Sequence, residues 1–478
     1  MKNNNENLVI FGASAGAIKV IQTLKSVDCH ITYLVDNDKE KWGKEIEGIQ
    51  VRSPESLIKD ESRIIIASNY QHEIEEQLKK MGILHRIALK EEYIMAYFEA
   101  HMDKFSYLSD LNFEQDILDA GKERPLLFGL EEGMWLGGIE NLTFMLTSAF
   151  KKKKRETVII SKITEDLPPK ELENEVKYVD MEFTRYVQSI EDLVKEIASR
   201  LPCIVIDNWQ NQIMVAVAII KHFYPEAVKC ISILHNDKIV LYRKTAYMEG
   251  YLDAIAGVSS AITDHLEKDF HISKDKLHYK ESPVFFDETF IKSYTDDKNR
   301  PLQLGYAARI TKDQKRADLL VPLIEELEKE KINYHFKIAG IGNYYDELVE
   351  QLEKKNLKKN LTICGWVDRS EMPDFWKEED VFINLSEYEG TALSMLEAMS
   401  YGVVPVVTKI AGVDEFVKSG ENGYIFNISD IKILVQDIKK LEADRTLLPR
   451  FGNRSRDIIH QKCSEADYVR YMEELAAN

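Results

Sequence analysis

Two glutamates, Glu389 and Glu397, stand eight positions apart in NLSEYEGTALSMLEAMSYG (384–402), and Gly390 follows the first. The apolar positions Leu393, Leu396 and Met399 predict a helix beginning near Thr391. Its start, Gly390 with Thr391, Ala392 and Leu393, would then offer unsatisfied backbone N–H groups to an anion. Glu397 would lie two turns into the helix and Glu389 on the loop before it. Such a pair suits a sugar nucleotide: one carboxylate can accept from ribose hydroxyls and the other from the sugar, with phosphates on the amides between. Ordinary solvated glutamates are the plainer reading of either residue alone. A glycosidase pair is disfavoured, because eight helical residues span up to about 12 Å and hydrolases hold their carboxyls roughly 5–10 Å apart.

Upstream, GYAARITKDQKRADLL (305–320) puts Arg309 at a strand end and Lys315, with Arg316, before the next helix. Both cations would approach the same crevice, where a departing diphosphate needs positive charge. A basic surface loop is the alternative. His235 ends the buried run CISILHND; it is read as a hydrogen-bonding group for the donor sugar and not as a general base. Asp207 and Asn208 end CIVIDN and are placed on the acceptor side. Gly137 and Gly138 follow PLLFGLEEGMW, where glycine at a strand-to-helix turn lets substrate approach the backbone. No His/Cys/Asp/Glu grouping reads as a metal site.

The first hundred residues carry decoys. Gly12-Ala-Ser14-Ala-Gly16 spells a nucleophile elbow, but it sits on the first strand with no oxyanion loop before it. Asp36-Asn37-Asp38 spells a metal-binding DxD, yet it ends the second strand about twenty residues after the glycines, where a Rossmann acidic residue belongs. Gly12, Gly16 and Asp36 are therefore candidates for a nucleotide on this domain, with NAD only weakly indicated by GxxxG. KKKKR (151–155) is the dense cationic run, either a solvated loop or a contact for anionic lipid.

The elements that must position these groups alternate between apolar runs and amphipathic stretches, the mark of parallel sheets with crossover helices. LVIFG (8–12), ITYLVD (31–36) and RIIIAS (63–68) lead a first domain, 1–100, followed by a polar helical connector, 101–124. PLLFGL, TVIIS, CIVID and CISIL mark a second domain, 125–298. PLQLGYAARI, FKIAG, LTICG, VFINLS and VVPVV, with a helical tail at 429–476, mark a third, 299–478. The fold class expected is α/β: two facing Rossmann-like domains plus a small N-terminal one. The chain has 478 residues, with 63 Lys+Arg against 81 Asp+Glu, for a net charge of −18. An acidic surface of that size argues against nucleic acid as a partner. Five scattered cysteines suggest reduced thiols, and neither a signal peptide nor a membrane span is legible, so a cytoplasmic location is expected.

From about 125 to 460 the ordered set of motifs resembles family 4 of the retaining GT-B glycosyltransferases. The resemblance implies that Glu389 and Glu397 form the family's donor-binding Glu pair, and that Arg309 and Lys315 cradle the donor diphosphate. It further implies that Gly340 and Gly342 in IAGIG form the strand-end glycine pair, and that Gly137-Gly138-Ile139-Glu140 and His235 are the N-domain groups. GVVPVVTKIAGVDEFVKSGENGYIF (402–426), with Glu415 and Gly423, also fits. A retaining, metal-independent transferase without cofactor follows, using a nucleotide-diphosphate sugar, UDP favoured, and a glycan, lipid-linked or protein acceptor. This chain departs from the family at Arg316, where glycine often follows the lysine, at Thr391-Ala392-Leu393, and at HYKESPVFFDE (278–288). Residues 1–95 are similar to the N-terminal domain of bacterial sugar acyltransferases, a module that could also serve homo-oligomerisation. Two rivals remain: a sugar-nucleotide-binding or chaperone-like subunit without catalysis, and a dehydrogenase or epimerase working through the first domain.

Overall fold

The computed structural model describes residues 7–68, 70–111, 124–134, 137–165, 167–208 and 211–477. Half of the expected connector, 112–123, lies outside them. The chain divides into two compact units: Met1–Ser232 with Tyr242–Ala254 and Ala476–Asn478, and Ile233–Leu241 with Ile255–Leu475.

Three sheets organise the described residues. The first holds β1 (Leu8–Phe11), β2 (Ile31–Val35), β3 (Glu45–Ile46), β4 (Ile49–Arg52) and β5 (Arg63–Ile66) in the order β3-β4-β2-β1-β5. Period-two alternation sends Leu8 and Ile10 into one apolar cluster and Val9 and Phe11 into another. Both faces are thus covered, as parallel sheets require. The second sheet holds β6 (Leu126–Leu130), β7 (Thr157–Lys162), β8 (Val176–Val179), β9 (Cys203–Asp207), β10 (Val228–Leu234), β11 (Ala254–Gly257) and β12 (Leu277–Tyr279), in the order β12-β11-β10-β9-β6-β7-β8.

The third holds β13 (Leu302–Ala307), β14 (Tyr334–Ala339), β15 (Leu361–Gly365), β16 (Val381–Asn384), β17 (Val404–Thr408) and β18 (Tyr424–Phe426). Its order is β15-β14-β13-β16-β17-β18, and every pairing is parallel. Leu304, Phe336, Val381 and Ile383 pack into one cluster while Trp376, Phe382 and Val407 pack into the other. Each such side chain contributes about 1.5–3 kcal/mol of burial. Strands added to one side of β13 give way to strands added to the other, so the direction of winding reverses between β13 and β16. A crevice opens beyond the carboxyl ends of strands at such a reversal. The sequence places Arg309–Lys315 after β13 and Glu389 after β16, which are the two loops bordering it.

Among the described residues, no helix is long and apolar enough to cross a membrane.

Candidate functional site

The loop after β13 is pinned by its neighbour after β14. The Ile310 N–H donates to the Ile341 carbonyl at 2.9 Å, and the Tyr344 N–H to the Ile310 carbonyl at 3.0 Å. A Cβ on Gly340 would overlap the Ala308 carbonyl, and one on Gly342 would overlap that of Ile310. These glycines admit the close backbone approach that seats Arg309.

Glu389 is buried after β16, and its carboxylate is the hub of the site. The Lys315 ammonium pairs with Oε1, and the Ser386 hydroxyl donates to the same oxygen at 2.8 Å. Gln314 Nε2 donates to Oε2 at 3.2 Å, to the Tyr388 carbonyl at 3.3 Å and to Asn236 Oδ1 at 3.4 Å. Arg309, which is exposed, donates from Nη2 to Gln314 Oε1 at 2.9 Å. Glutamine therefore links the arginine to the carboxylate. A carboxylate has about four acceptor sites and an ammonium three donors. Three of the former and one of the latter are engaged, so Glu389 keeps an acceptor and Lys315 keeps donors for a ligand.

Residues 233–241 belong to the same compact unit. Gly390 lies against the His235 carbonyl and the Val258 side chain so tightly that a Cβ would clash with both. Thr391 Oγ1 donates to the Val258 carbonyl at 2.9 Å. Burial pushes the His235 imidazole down to about 4, so the ring is neutral at physiological pH. The Lys238 ammonium stands 4.4 Å from the Tyr388 ring centroid. Burial holds its pKa below the usual lysine range, against the pull of Asp313.

The helix expected from Thr391 begins two residues later, Leu393–Ser400, with Ala392 at its N-cap. Glu397 lies in its second turn. Burial pushes that carboxyl up to about 7, and Arg369 opposes the shift. The two glutamates thus have separate cationic neighbours, Lys315 and Arg369. Glu415 caps another helix: its Oε1 accepts from Ser260 N and Oγ at 2.8 and 2.7 Å, and Tyr279 donates to Oε2.

In the other unit, Gly137 takes the N-cap position of helix Gly138–Lys152. Asp207 and Asn208 prove to be buried ties: Ser232 Oγ donates to Asp207 Oδ2 at 3.1 Å, and Asn208 Nδ2 to Thr143 Oγ1 at 3.1 Å. The Asp36 carboxylate accepts from the Ala13 N–H at 2.8 Å and from Lys41 at 3.1 Å, so it closes the glycine turn on itself. Lys151 pairs with Glu175 at 2.7 Å, and Arg155 donates to the Arg124 carbonyl at 3.1 and 3.0 Å, so both ends of the basic run are engaged within the fold.

Gln314, Ser386, Asn236 and Lys238 escaped the reading of the sequence. Uncharged or isolated side chains carry no spacing signal; only adjacency to Lys315, Glu389 and His235 could have flagged them.

Residues 287–458 match the family described as "Glycosyl transferases group 1", and residues 4–87 match "C2185-like, N-terminal". Solved structures share the architecture. The crystal structure of TarM aligns with TM-score 0.61 at 14% identity, covering 74% of this chain and 99% of that one. Anabaena Alr3699/HepE in complex with UDP and glucose gives 0.62 at 15%, covering 73% and 98%. The fold is GT-B. A poly(ribitol-phosphate) alpha-N-acetylglucosaminyltransferase of Staphylococcus aureus (strain COL) is 28% identical over 186 residues, 38% of this chain and 37% of that protein. A UDP-Gal:alpha-D-GlcNAc-diphosphoundecaprenol alpha-1,3-galactosyltransferase of Escherichia coli is 33% identical over 113 residues, 23% of this chain and 29% of that protein. With a third relative at 46%, the chain spans less than half the length of these curated relatives.

Proposed function

We propose that this GT-B chain is a glycosyltransferase that moves a sugar from a nucleotide-diphosphate donor, UDP-linked by preference, to an acceptor in bacterial glycan or glycoconjugate assembly. The observation that carries the reading is the Arg309–Gln314–Glu389–Lys315 constellation at the β13/β16 reversal. It lies inside the segment that matches the glycosyl transferases group 1 family. Cations and a carboxylate held a few ångströms apart suit a substrate that is anionic at its diphosphate and hydroxylated at its sugar.

The division of labour follows from charge. Breaking the anomeric bond moves negative charge onto the diphosphate, and Lys315 and Arg309 stabilise it in a preorganised setting. Glu389 holds the sugar through its remaining acceptor site. The neutral His235 hydrogen-bonds without carrying a proton off. Glu397 accepts from the ribose in its ionised form. Retention at the anomeric carbon is part of this proposal, drawn from the resemblance to family 4.

The test offers a panel of UDP- and GDP-sugars with glycan and lipid-linked acceptors and reads products by mass spectrometry. One donor should give an acceptor heavier by one sugar, and Glu389→Ala should cut its formation about 10²–10³-fold. Full transfer by Glu389→Ala would overturn the site; no transfer by the wild type from any donor would favour a binding subunit.

A further inference from the structure

We propose that Arg316 is a positioning residue whose side chain buckles the loop carrying Lys315 to the loop carrying Glu389. Arg316 has φ +47, in the left-handed region. A side chain there is strained and persists where its surroundings hold it. What holds it is a fork. Nε and Nη2 donate to Asp318 Oδ1 and Oδ2 at 3.1 and 3.0 Å, fixing the loop's own turn. Nη1 crosses to Glu387 Oε2 at 2.9 Å, on the loop after β16. Beneath it the Glu387 N–H donates to the Gln314 carbonyl, also at 2.9 Å. Lys315 lies between Gln314 and Arg316, and Glu389 lies two residues beyond Glu387. The two crossings therefore flank Lys315 on its own loop and meet at Glu387, two residues before Glu389.

Arg316 does not act as a third phosphate cation. Three of its five N–H donors are spent on carboxylates. Two anionic partners around one guanidinium leave the immediate surroundings net negative, which repels a diphosphate. Geometry is what the fork supplies: a planar bidentate grip on Asp318 fixes the direction in which the remaining Nη1 must point. Lysine, a point charge on a flexible stem, keeps the charge and loses that direction.

The kinetic part of the test rests on the glycosyl-transfer reading; the coupling part does not. Arg316→Gly suits the left-handed backbone, so this variant removes the fork without adding backbone strain. The Lys315–Glu389 coupling is then measured by double-mutant cycles in chemical denaturation, with Lys315→Ala and Glu389→Gln, in the wild-type and Arg316→Gly backgrounds. The equilibrium coupling should drop at least about threefold when the buckle is removed. With the preferred donor, Arg316→Gly, Arg316→Lys and Glu387→Gln should each lower kcat/KM about tenfold, as a sub-ångström misplacement of catalytic groups does. The double variant Arg316→Gly/Glu387→Gln should be no worse than the poorer single one. Unchanged coupling in Arg316→Gly, wild-type kinetics in that variant, or losses that multiply in the double variant would each overturn the proposal. A wild type inert toward all donors would sink the transfer reading, and the coupling measurement would still decide this one.

Discussion

The sheets that open and close the chain reverse winding in the same way, between β1 and β5 in one and between β13 and β16 in the other. Each has a glycine turn near the reversal and a carboxylate within reach of it. In the first, a Cβ on Gly12 would overlap the Ala67 carbonyl, so the two bordering loops meet backbone to backbone. Asp36 accepts from the Ala13 N–H, the Asp38 N–H and Lys41, so its bonds stay within the loops after β1 and β2 and do not cross the reversal. In the last, side chains meet across the reversal: Lys315 and Gln314 with Glu389, and Arg316 with Glu387. A topological crevice is common property of the fold. Chemistry requires that polar side chains from both bordering loops converge on it.

The hardest blow to this contrast is at its centre. Glu389→Ala or Lys315→Ala should lower kcat about 10²–10³-fold, the range seen when one preorganised charge-stabilising group is removed. Quantified product formation under saturating donor checks it. Equal losses from Asp36→Ala would erase the distinction between the two reversals.

Next in size is Gly390→Ala. The added methyl would drive into the His235 carbonyl and Val258, and backbone cannot yield as a flexible side chain can. Overpacking of this kind costs about 1–3 kcal/mol. A lowered midpoint in urea, with donor KM raised alongside, is expected. Gly16→Ala, whose nearest neighbours are in ordinary contact at 3.8 Å, should leave the midpoint within error.

Much of this was legible before any coordinates. Parallel strands such as LTICG and CIVID announced themselves as β-branched runs, Arg309 and Lys315 as charges following a strand, and Glu389 and Glu397 as carboxylates flanking a helix start. Short strands without such runs did not: Ala254–Gly257 is too small to signal, and Glu45–Ile46 with Ile49–Arg52 form a hairpin around Gly48. Burial was the other blind spot. Asp207 and Asn208 end a strand just as Asn384 does, and nothing local tells that they turn inward to Ser232 and Thr143. Gln314 became central only because two loops far apart in sequence fold together.

Protonation offers a subtler probe. The Glu397 carboxyl is raised from 4.5 to about 7, so between those values the folded chain holds a proton that the unfolded chain has lost. Its contribution to stability is present at low pH and fades as pH rises through 7. Glu379 and Glu131 are also raised to about 7 by burial, so the contrast must be drawn against Glu397→Gln, whose stability should fall less steeply over that range. A ribose diol needs the ionised acceptor. Donor KM should accordingly improve as pH rises through about 7 in the wild type and stay flat in Glu397→Gln. Parallel KM profiles would remove Glu397 from the donor site.

The smallest effect is expected at the first reversal. Asp36→Asn keeps the shape of the carboxylate but weakens its bond to the Ala13 N–H and removes the ion pair with Lys41, which is about one-third exposed. Partial solvent screening limits the loss to about 1 kcal/mol. That loss should appear in the urea midpoint and not in kcat or donor KM, since the carboxylate serves its own turn. Calorimetric titration of UDP and NAD separates the two roles. UDP should bind wild type and Asp36→Asn alike, lose affinity in Lys315→Ala, and NAD should bind neither protein. Tight NAD binding abolished by Asp36→Asn would make the first reversal a working site, because only a carboxylate free to leave Ala13 could take up a ribose.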